Sequence, residues 1–196
     1  MDKRTDTDKI LFVNACVRKE SRTRRLAEYV LDFFDGDITE VRPSHVTEPI
    51  RDEGFINARN TASEKGDFSD KVYSPARQFS EADVIVIAAP YWDLSFPAIL
   101  KAYFEQINVL GLTFEYTSDG MPRGLCKAKK LIYVTTSGGP IISDEYGYGY
   151  VRALAETFYG IRDISQVKAE CLDMVGADVE TLLQEAKRTF SSQQFR

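Results

Sequence analysis

Three short runs of apolar residues constrain this chain most: KILFVN at 9–14, DVIVIAA at 83–89 and KKLIYVT at 129–135. Each is of strand length and is bounded by charge or by a turn residue. DVIVIAA is apolar on both faces, which suits the middle of a parallel sheet. Between the runs the period changes. Leu26, Val30 and Phe33 recur at four- and three-residue spacing after Ser21, with Ala27, Leu31 and Phe34 widening the stripe, and Leu100, Phe104 and Ile107 share a face after Pro97. Ser74-Pro75 supplies an N-cap and a first helical position for a short helix to Ala82. Further helices are predicted over 148–159 and 178–190. Gly36 is read as the end of the first helix, 37–41 as a weaker strand and 165–172 as the last strand. Strands alternating with helices predict an α/β fold, a parallel sheet wrapped on both faces, with 1–196 as one domain.

Segment 43–73 departs from the pattern. It is charged, poor in large apolar residues and mixed with Gly and Asn, so it reads as a surface excursion with short helices rather than a second domain. Composition excludes several classes. With 43% apolar and 28% charged residues the chain is ordinary globular material, not disordered. Its net charge of -5 argues against a nucleic-acid partner. Cys16, Cys126 and Cys171 show no CxxC or Cys/His spacing, so no metal site is expected and a reduced, cytoplasmic setting is. The charged start of the chain does not read as a secretory leader, and no apolar run approaches the ~20 residues that span a bilayer.

Ligands of such sheets bind beyond the carboxyl ends of the strands. Three strand ends carry unusual loops, at 14–23, 90–97 and 135–140. The first, NACVRKESRT, has neither GxGxxG nor a GK[ST] loop. It ends in Ser21-Arg22-Thr23, two hydroxyls at a helix start, which make an anion site together with the free N–H groups there. The alternative is that Ser21 is an N-cap alone and the arginines are solvated. Arg22, Arg24 and Arg25 oppose the helix dipole and need a separate reason. In the second loop, Tyr91 and the sole tryptophan, Trp92, either pack on a flat heterocycle or plug the sheet end or a subunit contact. The third loop, TTSGGP, gives hydroxyls and two glycines that let a planar ligand approach the backbone, or it is simply a turn.

Taken together, these loops resemble those of the flavodoxin-like NAD(P)H-dependent FMN reductases, the group that contains FMN-dependent azoreductases and NAD(P)H quinone oxidoreductases. The resemblance covers nearly the whole chain. Its most specific part is APYWDLSFPAILKAYFEQINVLGLTFEY, at 89–116, followed at the right spacing by TSGG. It implies a flavodoxin-like, doubly wound five-stranded parallel sheet in the order 2-1-3-4-5. It also implies bound FMN, with NADH or NADPH as co-substrate. Ser21 and Thr23 match the family's phosphate-binding hydroxyls. Tyr91, Trp92, Asp93 and Leu94 match the segment along the isoalloxazine ring, and Thr136, Ser137, Gly138 and Gly139 match the second ring-binding loop. Tyr116 matches an aromatic position that helps roof the site, usually from the partner subunit. Asn14 and Ala15 stand where many azoreductases carry a serine pair, which leaves main-chain contacts only. Asp93 replaces a common Asn, so its N–H rather than its carboxylate is expected to be used. The pocket histidine of the quinone reductases has no counterpart, since His45 is the only histidine.

The resemblance further implies a ping-pong reaction. Hydride passes from NAD(P)H to the flavin, and electrons pass on to a quinone, azo or nitroaromatic acceptor in the same cavity. No side-chain acid or base is required; Tyr116, and Tyr146 or Tyr148, are candidates to shape the pocket or lend a proton. A homodimer with a small-molecule acceptor is expected. Arg51, Arg59 and Lys65 either read a 2′-phosphate or are solvated surface charge. The competing readings are an electron carrier or redox sensor docked on a basic protein partner, and a scaffold that kept the fold without FMN.

Overall fold

The computed structural model describes residues 7–47, 49–50 and 52–194. Five strands make one parallel sheet: β1 (Asp8–Asn14), β2 (Gly36–Val41), β3 (Val84–Ala88), β6 (Lys130–Thr136) and β7 (Asp163–Ala169). Their order is β2-β1-β3-β6-β7, which is the expected 2-1-3-4-5. All five residues of the central β3 are buried, as its two-sided apolar sequence requires. Two further short strands, β4 (Phe114–Tyr116) and β5 (Pro122–Gly124), pair antiparallel in a separate hairpin that the sequence reading did not contain.

Alternate residues of β1 and β3 feed two cores. Ile10, Phe12, Val84 and Val86 face α1 (Arg22–Leu31) and the last helix, α7 (Val179–Gln194), through Leu26, Val30, Leu183 and Phe190. Leu11, Val13, Ile85 and Ile87 face α4 (Ser74–Glu81), α5 (Ala98–Ile107) and α6 (Tyr148–Leu154), through Phe79, Leu100, Phe104 and Val151. The parallel strands therefore deliver the ends of β1, β3, β6 and β7 to one edge of the sheet, beside the N-terminus of α1.

Several boundaries differ from the sequence reading. Helix α1 stops at Leu31, and Gly36 opens β2 instead of closing the helix. A Cβ at Gly36 would lie 2.3 Å from the Asp8 carbonyl, so the glycine answers to strand pairing. Ser74 is the first residue of α4 and not its cap, because a 3₁₀ turn at Lys71–Tyr73 runs straight into the helix. The last strand ends at Ala169, not Leu172: Cys171 takes φ +63°, which no strand tolerates. The expected helix over 148–159 is α6 followed by a π-helical turn, Ala155–Tyr159, closed by Gly160 at φ +75°. The excursion holds α2 (Pro43–Val46) and α3 (Glu53–Lys65), and α3 buries no residue. Arg59 ties α3 to the end of α5, donating to the Glu105 carbonyl at 2.9 Å and to the Asn108 carbonyl.

Candidate functional site

The N-terminus of α1 is the first wall of the site. Ser21 is its N-cap, with extended backbone, and its Oγ accepts the Arg24 N–H at 3.2 Å. Thr23 is fully buried; its hydroxyl lies 2.6 Å from that of Thr136 and pins α1 to the end of β6. The arginines that oppose the dipole each have a partner. Arg24 bonds Glu28 one turn on, Arg25 grips Glu180 of α7, and Arg22 crosses to the turn after β7. There its Nη1 donates to the Leu172 carbonyl at 3.0 Å and its Nη2 meets the Asp173 carboxylate at 2.7 Å.

Asn14 is buried. Its amide donates to Glu40 at 2.8 Å while its oxygen accepts the Cys16 N–H at 3.0 Å, which sets the first step of the loop after β1. Burial works to raise the Glu40 carboxyl, but the bond from Asn14 and the Arg42 charge outweigh it, and its pKa is lowered. Cys16 is shifted the other way: burial raises its thiol pKa despite a hydrogen bond to Ser21. Ala15 is buried, with its N–H on the Ala88 carbonyl.

The second loop is a two-residue reverse turn. Trp92 and Ser95 exchange both backbone hydrogen bonds, at 2.9 and 2.8 Å. Asp93 and Leu94 between them take φ +50° and +68°, the type I′ geometry that normally selects Asn-Gly. A leucine held there is strained, and such strain concentrates at ligand clamps. Among the described residues neither Asp93 nor Leu94 spends its N–H on a protein acceptor. The loop is braced from outside: Ser95 Oγ donates to the Tyr146 carbonyl, and the Tyr91 hydroxyl lies against Ser143.

The third loop is laced to a fourth that the sequence reading passed over. The N–H groups of Leu172, Asp173 and Cys171 donate to the carbonyls of Ser137, Gly138 and Gly139 at 3.1, 2.9 and 3.1 Å. A Cβ on Gly138 would sit 2.4 Å from Asp173 Oδ2, whereas one on Gly139 would meet nothing within 4 Å. The two glycines therefore differ: the first makes room for a carboxylate, and the second borders open space.

Together these loops enclose a cavity of about 230 Å³. Of the residues singled out from sequence, Ser21, Thr23, Tyr91, Trp92, Thr136, Ser137 and Gly138 line it. Asn14, Ala15, Asp93, Leu94 and Gly139 flank these residues in the same loops and do not line it. Tyr116 lies apart on the hairpin, half exposed, and Tyr148 gives its hydroxyl to the Ile164 carbonyl at 3.1 Å. Of the three excursion residues considered for a 2′-phosphate, Arg59 is spent on α5, Lys65 closes α3 on the surface, and Arg51 lies outside the described residues. Arg22 as a cross-link and Asp173 as a wall were missed. The available signal was that every strand end on this edge bears a loop; extending the last strand to Leu172 hid the fourth.

Fold and site together define an open α/β sheet whose switch point carries a cavity, bordered by a helix start and a strained two-residue turn. The family model for the flavodoxin-like fold matches residues 8–193, and the chain belongs to that family. It is 36% identical over 198 residues to the FMN-dependent NADH:quinone oxidoreductase of Lachnoclostridium phytofermentans, covering 91% of this chain and 94% of that one. It is 38% identical over 188 residues to FMN-dependent NADH:quinone oxidoreductase 2 of Clostridium acetobutylicum, covering 89% and 92%. Among solved structures, the azoreductase of Bacillus anthracis superposes with a TM-score of 0.77 at 26% identity, covering 93% of this chain and 96% of that one.

Proposed function

We propose that this chain is an FMN-dependent NAD(P)H oxidoreductase that passes electrons to quinones or azo compounds. The observation that carries the reading is the convergence of the loops after β1, β3, β6 and β7 on one cavity, at the N-terminus of a ten-residue helix. The chemistry of the wall fits the cofactor. Ser21, Thr23, Arg18 and Arg22 are the groups that would hold a phosphate. Tyr91 and Trp92 would flank the ring, Asp93 and Leu94 offer free N–H donors, and the backbone at Gly139 is open to close approach. Bound FMN supplies the hydride and electron transfer. The chain's part is to bind, orient and polarise: preorganised main-chain donors stabilise negative charge that develops on a bound ring. No side-chain acid or base is required of the chain, and Tyr146, half exposed beside Ser95, is a candidate to lend a proton from outside the cavity lining.

The whole chain acts as one unit, with excursion 43–73 a surface addition. The hairpin leaves Leu110, Tyr116, Met121 and Leu125 exposed, and this patch supports a homodimer in which Tyr116 roofs the partner's cavity. A net charge of -5 argues against a nucleic-acid partner. No described helix is long and apolar enough to cross a membrane. Three free cysteines are in keeping with a reducing, cytoplasmic setting.

The test is anaerobic titration of the FMN-loaded protein with NADH and with NADPH, followed by a quinone. Bleaching by nucleotide alone and recovery by quinone is the expected result, and the nucleotide that bleaches the flavin faster at equal concentration is the preferred donor. A bound flavin that neither nucleotide reduces would favour the electron carrier. A chain that takes up no flavin would be the scaffold.

A further inference from the structure

The wall of the cavity carries two cations, Arg18 and Arg22, and two carboxylates, Glu20 and Asp173. Its formal charge is therefore balanced in a chain that is negative overall, which is a poor setting for a dianionic phosphate. The balance rests on one contact. Arg22 is held at two points: Nη1 on the Leu172 carbonyl and Nη2 on Asp173. The first is a fixed backbone anchor. The second is a carboxylate 63% exposed to solvent, with its other oxygen lying over Gly138 in the space a side chain would fill.

We propose that Asp173 is a resident counter-anion for Arg22, which the phosphate of an incoming flavin nucleotide displaces. The proposal rests on the flavin reading above. Arg22 stays anchored to Leu172 and turns its second nitrogen from carboxylate to phosphate. Asp173 swings from Gly138 into solvent, where its charge is readily hydrated. An exposed ion pair contributes little in water, so the exchange is easily driven by a phosphate, whose greater negative charge strengthens the hydrogen bond it accepts from a guanidinium. Until then Arg22 is kept pointing across the cavity mouth. Asp173 thus sets how tightly the phosphorylated flavin is held, and it does so without touching the ring's chemistry.

The exchange predicts an effect confined to the phosphate. FMN and riboflavin are titrated against flavin-free protein by quenching of flavin fluorescence, for wild type, Asp173→Asn, Asp173→Ala, Arg22→Gln and the Arg22→Gln/Asp173→Asn double variant. Ligand-free melting curves confirm that each is folded. Removing the Asp173 charge is expected to tighten FMN about two- to fivefold and leave riboflavin unchanged. Arg22→Gln is expected to weaken FMN about tenfold or more, and in that background the Asp173→Asn gain is expected to vanish. Equal FMN affinity in wild type and both Asp173 variants overturns the exchange. So does a gain shared by riboflavin, or one undiminished without Arg22. Wild-type protein that binds neither flavin would instead sink the functional reading, so the two failures are distinct.

Discussion

The hydroxyl pair Thr23–Thr136 is a buried polar contact that fixes the helix start to the sheet edge, and removing it one side at a time has a calculable effect. The oxygens are 2.6 Å apart, and Thr23 and Thr136 are 1% and 7% exposed. Thr23→Val is nearly isosteric, so it leaves packing intact and strands the Thr136 hydroxyl. A buried polar group left without its partner costs about 1–3 kcal/mol. Thr136→Val strands Thr23 in the same way. The double variant strands nothing and loses only the net worth of the bond, about 0.5–1.5 kcal/mol. The double loss should therefore fall short of the sum of the single losses by about 1 kcal/mol or more. For a chain of this size each kcal/mol moves the melting temperature by roughly 2–4 °C. Urea unfolding of the four ligand-free proteins measures the cycle. Strictly additive losses, or a double variant worse than the sum, would show that the two hydroxyls do not act as a pair and that Thr23 is free to serve the cavity alone.

Gly124→Ala should detach the hairpin: the new Cβ would lie 2.1 Å from the Gly160 nitrogen and the Tyr159 carbonyl carbon, backbone atoms that have no room to yield. We expect a loss of about 3 kcal/mol or more, with early proteolysis between Phe114 and Gly124; a melting temperature within 2 °C of wild type, on the order of experimental scatter for a chain this size, would refute it. Cys126 is partly buried, with its Sγ 3.6 Å from the Thr113 carbonyl, and burial pushes its thiol up to about 12. Its thiolate should be scarce at pH 8, on the order of one in ten thousand, so thiol-reactive probes followed by peptide mass mapping should label it only on unfolding. The sign for stability follows: the unfolded thiol ionises near 9 and the folded one near 12, so stability falls as pH rises between them. Labelling of Cys126 in the folded protein at pH 8 would contradict both statements.

The sheet was legible because burial on both faces leaves a strand no choice but to be apolar throughout: 9–14, 83–89 and 129–135 named three of its strands outright, and helix periodicity placed the covering layers. Edge elements were less legible. β2 pairs on one side only and exposes Ile38, and β7 ends where Cys171 turns left-handed, a backbone event with no side-chain signature. The β4–β5 hairpin depends on Gly124 meeting Gly160, two residues 36 positions apart whose contact no local pattern encodes. The same division runs through the site. Ser21, Thr23, Tyr91, Trp92, Thr136, Ser137 and Gly138 were readable because each stands next to a strand end or helix start. Arg22 was noticed as an arginine out of place against the dipole, but its reason, Asp173, lies 151 residues away. A residue that breaks a local rule thus pointed correctly to a long-range partner without naming it. The partner was reachable by a second local rule, that the strand at the sheet's far edge must also deliver a loop to the common edge. The Arg22–Asp173 contact is where the two rules meet, which is why the variants at these two positions separate a phosphate site from a merely well-capped helix.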